Sequence, residues 1–477
     1  MLSLELLFIP LFASLLILFA KGKAARALAL VFTLIQLLVT GYAYTIYKAN
    51  GGAAFEFTQA WVKSPVINIH FGVDGISLLM VMLTNLLLPL IVLSGFNREA
   101  KRPHIFYALM LFMQFALNGV FLSMDAFVYY IFWELALIPI YFIAFNWGDE
   151  NRAKVTIKFF IYTLVGSLLM LFGFVFLYLS SPQHSLDWNT LTQFKTCSCN
   201  QTWLFWLLFA AFAIKIPIFP FHTWQPDTYK SAPTQGTMLL SGIMLKMGTY
   251  SLIKWLLPIV PDGFKEWQAV VITLSVIGIV YASIIAIMQT DLKRLFAYSS
   301  IAHVGLIAAG VFSFTQQGLQ GSLAQMFAHG INVVGLFFCA DIILSRTGTL
   351  QISNLGGIRN QNRLFSSLFL IVVLGSVALP LTNGFIGEFL LLYGVFEYNT
   401  WLSVFAGLTI ILGAVYMLRM FQNVMSGPDS EHISSFPPLH WNEKLVLILI
   451  GGLIILTGVF PAPILELTQP AIDNLLK

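Results

Sequence analysis

Read from its amino terminus, the chain is a succession of apolar runs separated by short polar interruptions. A helix rises about 1.5 Å per residue, so about 20 apolar residues cross a hydrocarbon core of about 30 Å. Runs on that scale fall at 2–20, 27–47, 75–96, 104–123, 125–147, 156–180 and 203–220, and then at 233–257, 267–289, 295–314, 320–344, 365–396, 401–424 and 443–461. Each is apolar around its circumference rather than striped on one face, as a helix in lipid or deep in a bundle must be. The pattern predicts an all-α integral membrane protein of about fourteen transmembrane helices. Residues 1–477 form a single membrane domain, since the longest polar stretches, 48–74 and 181–202, are loop-sized. Met1 to Ala20 lacks a basic leading region and is expected to be the first span rather than a signal peptide.

Composition narrows the class. The chain is 58% hydrophobic and 10% charged, against about 25% charged in soluble domains. The net charge of +4 comes from short basic clusters between apolar runs, which suits membrane orientation and excludes nucleic-acid binding. Counting alternate loops, one side collects seventeen Lys and Arg residues; the other collects six, Lys48, Lys63, Lys195, Lys254, Lys265 and Lys477. The positive-inside rule makes the seventeen-residue side cytoplasmic, with both termini and the loop holding Cys197 and Cys199 outside. The third cysteine, Cys339, lies in an apolar run, and no spacing suits zinc or an iron-sulfur cluster. No Rossmann, P-loop or flavin pattern is present, so no cofactor is expected on this chain. The eleven tryptophans suit membrane interfaces.

Four charged residues fall inside spans: Glu134, Lys215, Lys246 and Glu388. Each costs about 2.5 to 3.5 kcal/mol at a helix centre, roughly 10 kcal/mol together, and function is the usual reason for retaining such groups. The competing reading is a buried ion pair that only fixes helix packing. Burial weakens a lysine's hold on its proton and a neighbouring carboxylate strengthens it, which suits a loaded and unloaded relay. His303 and His329, on consecutive spans, extend the series with groups that titrate near neutral pH. By contrast, His222 and Asp227 belong to a short cytoplasmic connection, and Asp341 and Glu397 sit near span ends.

Helix breakers flank two of these charges. Pro217 and Pro220 follow Lys215, and Pro380, Gly384 and Gly387 precede Glu388. Such residues free backbone carbonyls within the membrane, and discontinuous helices mark ion sites in transporters. The breaks fall in spans seven and twelve, five apart, which predicts two inverted five-helix repeats over spans four to eight (about 104–257) and nine to thirteen (about 267–425). Glu134 then answers to His303 and Lys215 to Glu388, with Lys246 and His329 between them, giving a midplane line of six titratable groups.

The segments WELALIPIYFIAFNWG, KFFIYTLVGSLLML, IKIPIFPFHTWQPDTYKSAPT, DLKRLFAYSSIAHVG and LPLTNGFIGEF together resemble the subunit M family of bacterial NADH-quinone oxidoreductase, respiratory complex I. The mitochondrial counterpart of that family is subunit 4 of NADH dehydrogenase. The resemblance runs over roughly residues 70 to 425. It implies an antiporter-like subunit of a proton-pumping translocase in the bacterial inner membrane, driven by quinone chemistry in other subunits. It also implies other membrane-arm subunits as partners, antiporter-like neighbours among them. By the same resemblance Glu134 modulates Lys215, Lys246 and the histidines form the central relay, and Glu388 is the terminal exchange group. Related subunits and antiporter chains carry lysine where this one has Glu388. A lateral helix after the last span marks subunit L, whereas only Pro461 to Lys477 follow here. A sodium/proton antiporter subunit, a hydrogenase membrane arm and a non-transporting scaffold are the alternatives.

Overall fold

In the computed structural model, residues 2–63, 66–98, 100–194, 196–430 and 436–477 are described; Lys195 of the charge tally lies outside them. Helices α1 (Leu2–Ile17) and α2 (Lys23–Asn50) lead into a two-stranded antiparallel hairpin, β1 (Phe57–Val62) and β2 (Ile67–Phe71). Then come α3 (Gly75–Ser94), α4 (Pro103–Leu122), α5 (Ala126–Trp147), α6 (Arg152–Ser180), the short α7 (Trp188–Gln193), α8 (Ser198–Lys215) and α9 (Gln225–Ser231). The next segment is not one regular helix. It runs as α10 (Thr234–Leu239), a π-helical turn at Leu240–Met244, α11 (Leu245–Ser251), a second π turn at Leu252–Leu256 and α12 (Leu257–Ile259). The chain continues through α13 (Pro261–Ile287), α14 (Leu292–Ser313), α15 (Gln316–Thr347), α16 (Ile358–Gln361), α17 (Arg363–Ser376), α18 (Asn383–Tyr398), α19 (Thr400–Met425), α20 (Trp441–Val459) and α21 (Ala462–Leu475).

The long helices begin where a side chain can satisfy their first free amides. Asp74 accepts from Ser77 N–H at 2.7 Å, Asp291 from Arg294 N–H at 3.0 Å and Thr315 from Gly318 N–H at 3.0 Å. Between caps the apolar side chains pack inward, and α3, α14 and α15 are buried almost throughout. Outer helices such as α6 and α19 turn Phe172, Leu179, Trp401 and Ile411 outward instead, as lipid contact requires.

Among the described residues ten helices are long and apolar enough to cross a membrane. The other expected spans are short or divided. Helix α1 has 16 residues and α17 has 14, the seventh and twelfth spans are interrupted, and the eighth alternates α and π turns.

Polar elements gather at the two ends of the bundle. At one end the hairpin holds against α7, His70 Nδ1 bonding Asp187. Lys254 there is buried and pairs with Asp74 at 2.6 Å. Helix α21 lies across the same end, its Leu467 backbone tight against Gly75, and Gln320 donates to Gln469. At the other end Arg98 pairs with Asp341 at 3.0 Å, Arg294 and Lys158 share Asp227, and Arg346 grips Glu443 through two nitrogens at 2.6 and 3.1 Å. Buried Asp341 also accepts from Thr234 Oγ1 at 2.5 Å, so its place near a span end is not a solvated one.

Candidate functional site

Helices α14 and α15 run side by side, and α15 packs along α18, which brings three of the expected residues together. His303 Nδ1 lies 2.9 Å from Glu388 Oε1. The contact is off the ring's hydrogen-bonding direction, since His303 Nδ1 has no hydrogen-bond partner; it is a close electrostatic pair. Gln325 Nε2 donates to the same carboxylate oxygen at 3.2 Å. Gly387 makes this possible, because a Cβ there would lie 2.4 Å from Gln325 Oε1. His303 and His329 stand with ring centroids 6.0 Å apart. A void of about 10 Å³ lies among Ser299, Ser300, His303, Gln325 and His329, about the space of one water with polar partners around it. Ser300 Oγ lies 3.1 Å from His329 Nε2, which orients that ring.

Lys246 completes this half. Its Nζ donates to Ser241 O at 2.6 Å and lies 2.8 Å from His329 Nδ1. The two π turns bracket Lys246, and a π turn widens the backbone at the expense of regular hydrogen bonding. Here the first one presents the Ser241 carbonyl to the ammonium. Gly242 and Gly330 allow the contact, since a Cβ on Gly330 would sit 2.9 Å from the Gly242 carbonyl.

Lys215 is the last residue of α8, where a cation meets the negative end of the helix dipole. It is 2% exposed and walled by rings, with Nζ 5.5 Å from the centroid of Trp133 and 5.9 Å from that of Phe159. Nζ has no hydrogen-bond acceptor. Glu134 follows Trp133 on α5, yet no ion pair within 4.0 Å joins it to Lys215 among the described residues. Glu134 and Lys215 thus do not make the direct ion pair that the packing-only reading would place between them. Beyond Lys215 the chain turns through 216–224, and Trp224 Nε1 donates to the Ile214 carbonyl at 2.9 Å, satisfying a backbone group that the break leaves open.

The second break falls at Pro380 and not at the two glycines expected to share in it. It occupies 377–382, where Ala378 and Leu381 take positive φ of 58° and 74°. Gly384 and Gly387 lie inside α18 and serve close approach rather than breakage: a Cβ on Gly384 would fall 2.4 Å from the Gly375 carbonyl. Sequence reasoning missed Ser241, Ser300 and Gln325, the neutral residues that join the charged ones. Gln325 carries a legible signal, a large amide within the 320–344 run four residues before His329.

The family described as NADH:quinone oxidoreductase/Mrp antiporter, transmembrane, matches residues 123–413. NADH-quinone oxidoreductase subunit M of Rickettsia conorii is 37% identical over 98% of this chain and 97% of its own length. NADH-ubiquinone oxidoreductase chain 4 of Marchantia polymorpha is 34% identical over 99% and 96%. A chain of respiratory complex I from Thermus thermophilus superposes with a TM-score of 0.92 at 31% identity, covering both chains fully. With relatives aligned from end to end and the matched region carrying all six titratable groups expected within spans, the chain belongs to the subunit M family of NADH-quinone oxidoreductases.

Proposed function

We propose that this multi-pass membrane protein is a proton-translocating membrane-arm subunit of an NADH-quinone oxidoreductase, coupling quinone reduction elsewhere in the complex to proton movement. The observation that carries the reading is the buried series Lys246, His329, His303 and Glu388, closed by contacts of 2.8 and 2.9 Å at its two ends, with room for one water between the rings. Protons pass along such a line by exchange between groups that alternately donate and accept. In this assignment Glu134 modulates Lys215, Lys246 and the two histidines are the central relay, and Glu388 is the terminal exchange group. The chain holds no cofactor of its own and works beside antiporter-like neighbours in the lipid bilayer of a bacterial inner membrane.

The finer architecture belongs to the same proposal. Fourteen spans, with α8 and α9 as the halves of the seventh and α17 and α18 as those of the twelfth, form two inverted five-helix repeats. Arg98, Lys158, Arg294 and Arg346 at one end of the bundle support a cytoplasmic assignment for that end, with both termini periplasmic.

The test is Lys215→Ala in the assembled complex, purified in mild detergent and checked by mass spectrometry for its companion subunits. Lys215 Nζ has no hydrogen-bond partner to orphan, so assembly is expected to survive while NADH-driven proton translocation falls sharply. An assembled variant that pumps normally would remove Lys215 from the relay. Purification with companions that lack NADH oxidation would remove the complex I assignment.

A further inference from the structure

Cys197 and Cys199 have no role in the relay. Both thiols are exposed and their sulfurs lie 2.8 Å apart, while Cys339 is buried. Cys197 is the cap of α8, with extended backbone (φ −52°, ψ 136°), and Cys199 lies in the first helical turn. This corner is fixed from several sides. The Cys197 carbonyl accepts from the amides of Asn200 and Gln201 at 2.8 and 3.2 Å. Gln201 Oε1 accepts from Asp262 N–H at 2.8 Å, and Ser198 Oγ donates to Asp262 Oδ2 at 3.0 Å, tying the turn to the start of α13. The intervening Ser198 is thus held against α13 while the two sulfurs meet in the open. The Cys199 thiol and amide stabilise a thiolate at Cys197, lowering its pKa from the ordinary thiol value, and the thiolate is the form that attacks a disulfide.

We propose that Cys197 and Cys199 are a redox-active dithiol, a modification site that a small-molecule disulfide oxidises to an intrachain bridge. It rests on the outward orientation proposed above, because disulfides persist on the periplasmic side and are reduced on the cytoplasmic side. The sulfurs need to approach by about 0.8 Å to reach a bond length near 2.05 Å, a movement within side-chain rotation. The Cys197 thiolate attacks one sulfur of the oxidant RSSR, forming a mixed disulfide and releasing RS⁻. Cys199, giving up its proton, then attacks the Cys197 sulfur and expels the second RS⁻. Two thiols and one RSSR become one protein disulfide and two RSH, so the protein loses two electrons and two protons. Helix α8 carries the site at one end and Lys215 at the other.

The experiment uses the assembled complex in right-side-out and inside-out membrane vesicles, with a membrane-impermeant polyethylene glycol maleimide to count thiols and oxidised glutathione as the oxidant. Reduced right-side-out vesicles should add two tags to this chain. After oxidised glutathione they should add none, the tryptic peptide should lose two hydrogens, and dithiothreitol should restore both tags. Cys199→Ser should instead trap glutathione on Cys197. Undiminished tagging after oxidation, or separate glutathione adducts on both cysteines of the native chain, overturns the dithiol while leaving the orientation standing. Tagging confined to inside-out vesicles overturns the orientation and with it the setting the site requires.

Discussion

Replacing Glu388 by glutamine tests the relay at its tightest electrostatic contact. The substitution preserves size and leaves Gln325 a hydrogen-bonding partner, so it removes charge while leaving packing intact. At 2.9 Å and an effective dielectric of about 20, a protonated His303 and the Glu388 carboxylate attract by about 6 kcal/mol. The variant removes that attraction from any transfer step that places positive charge on His303. If only a quarter of it is expressed in the rate-limiting transfer, about 1.4 kcal/mol, transport slows about tenfold. The assay is NADH-driven acidification of inside-out vesicles, followed with a pH-gradient dye and normalised to the amount of assembled complex. Glu388→Gln should assemble normally and acidify at least tenfold more slowly. Acidification at the native rate by a fully assembled variant would refute the argument, because proton transfer would then not depend on that carboxylate.

Gly384→Ala drives a Cβ to 2.4 Å from the Gly375 carbonyl and must push the halves of the second break apart; a loss of about 1 to 3 kcal/mol, typical of overpacking, should appear as a lower unfolding temperature of the complex. Trp224→Phe deletes the donor to Ile214 O and should cost about 1 kcal/mol or somewhat more, read in the same melt. The hairpin contact depends on pH. Asp187 raises the pKa of His70, while the His70 bond lowers that of Asp187 against its burial. The histidine's contribution is complete below about pH 6.5 and fades as pH rises through its raised value; the carboxylate's is complete above about pH 4 and fades as pH falls through its lowered value. Protection of the β1 and β2 amides against hydrogen exchange, relative to their intrinsic rates at each pH, should therefore be greatest in mildly acidic buffer, and His70→Gln should abolish the alkaline loosening.

Apolar periodicity locates nearly every helix because lipid and a buried core demand the same continuous hydrophobicity. It does not reveal how a helix is wound. The run at 233–257 reads as one span, yet it alternates α and π turns, with Gly242 of the first π turn against α15 and Gly248 of α11 against Ile216, contacts made with distant segments. Pro217 and Pro380 mark both breaks correctly because loss of a backbone donor is a local property. The roles of Gly384 and Gly387 are not local, and their task of admitting a neighbour's carbonyl or Gln325 emerges only once α15, α17 and α18 are packed. The hairpin was legible in part, since Ile67, Ile69 and Phe71 alternate with polar residues in the stretch read as loop. Charge inside spans draws attention to Glu134, Lys215, Lys246 and Glu388 from the sequence, while Ser241, Ser300 and Gln325 gain meaning only from the neighbours they face.

The six ionisable groups comprise two carboxylates, two amines and two imidazoles, so their charges cancel when both carboxylates are ionised, both amines protonated and both imidazoles neutral. A low-dielectric slab penalises any departure from electroneutrality through the self-energy of the excess charge. If the six act as the proposed relay, admitting one proton at one end raises the energy of the whole series until another leaves, and the ends sense each other without any displacement of the backbone between them. In the proposed relay, charge balance alone would hold occupancy near a fixed number and favour one-for-one exchange over accumulation.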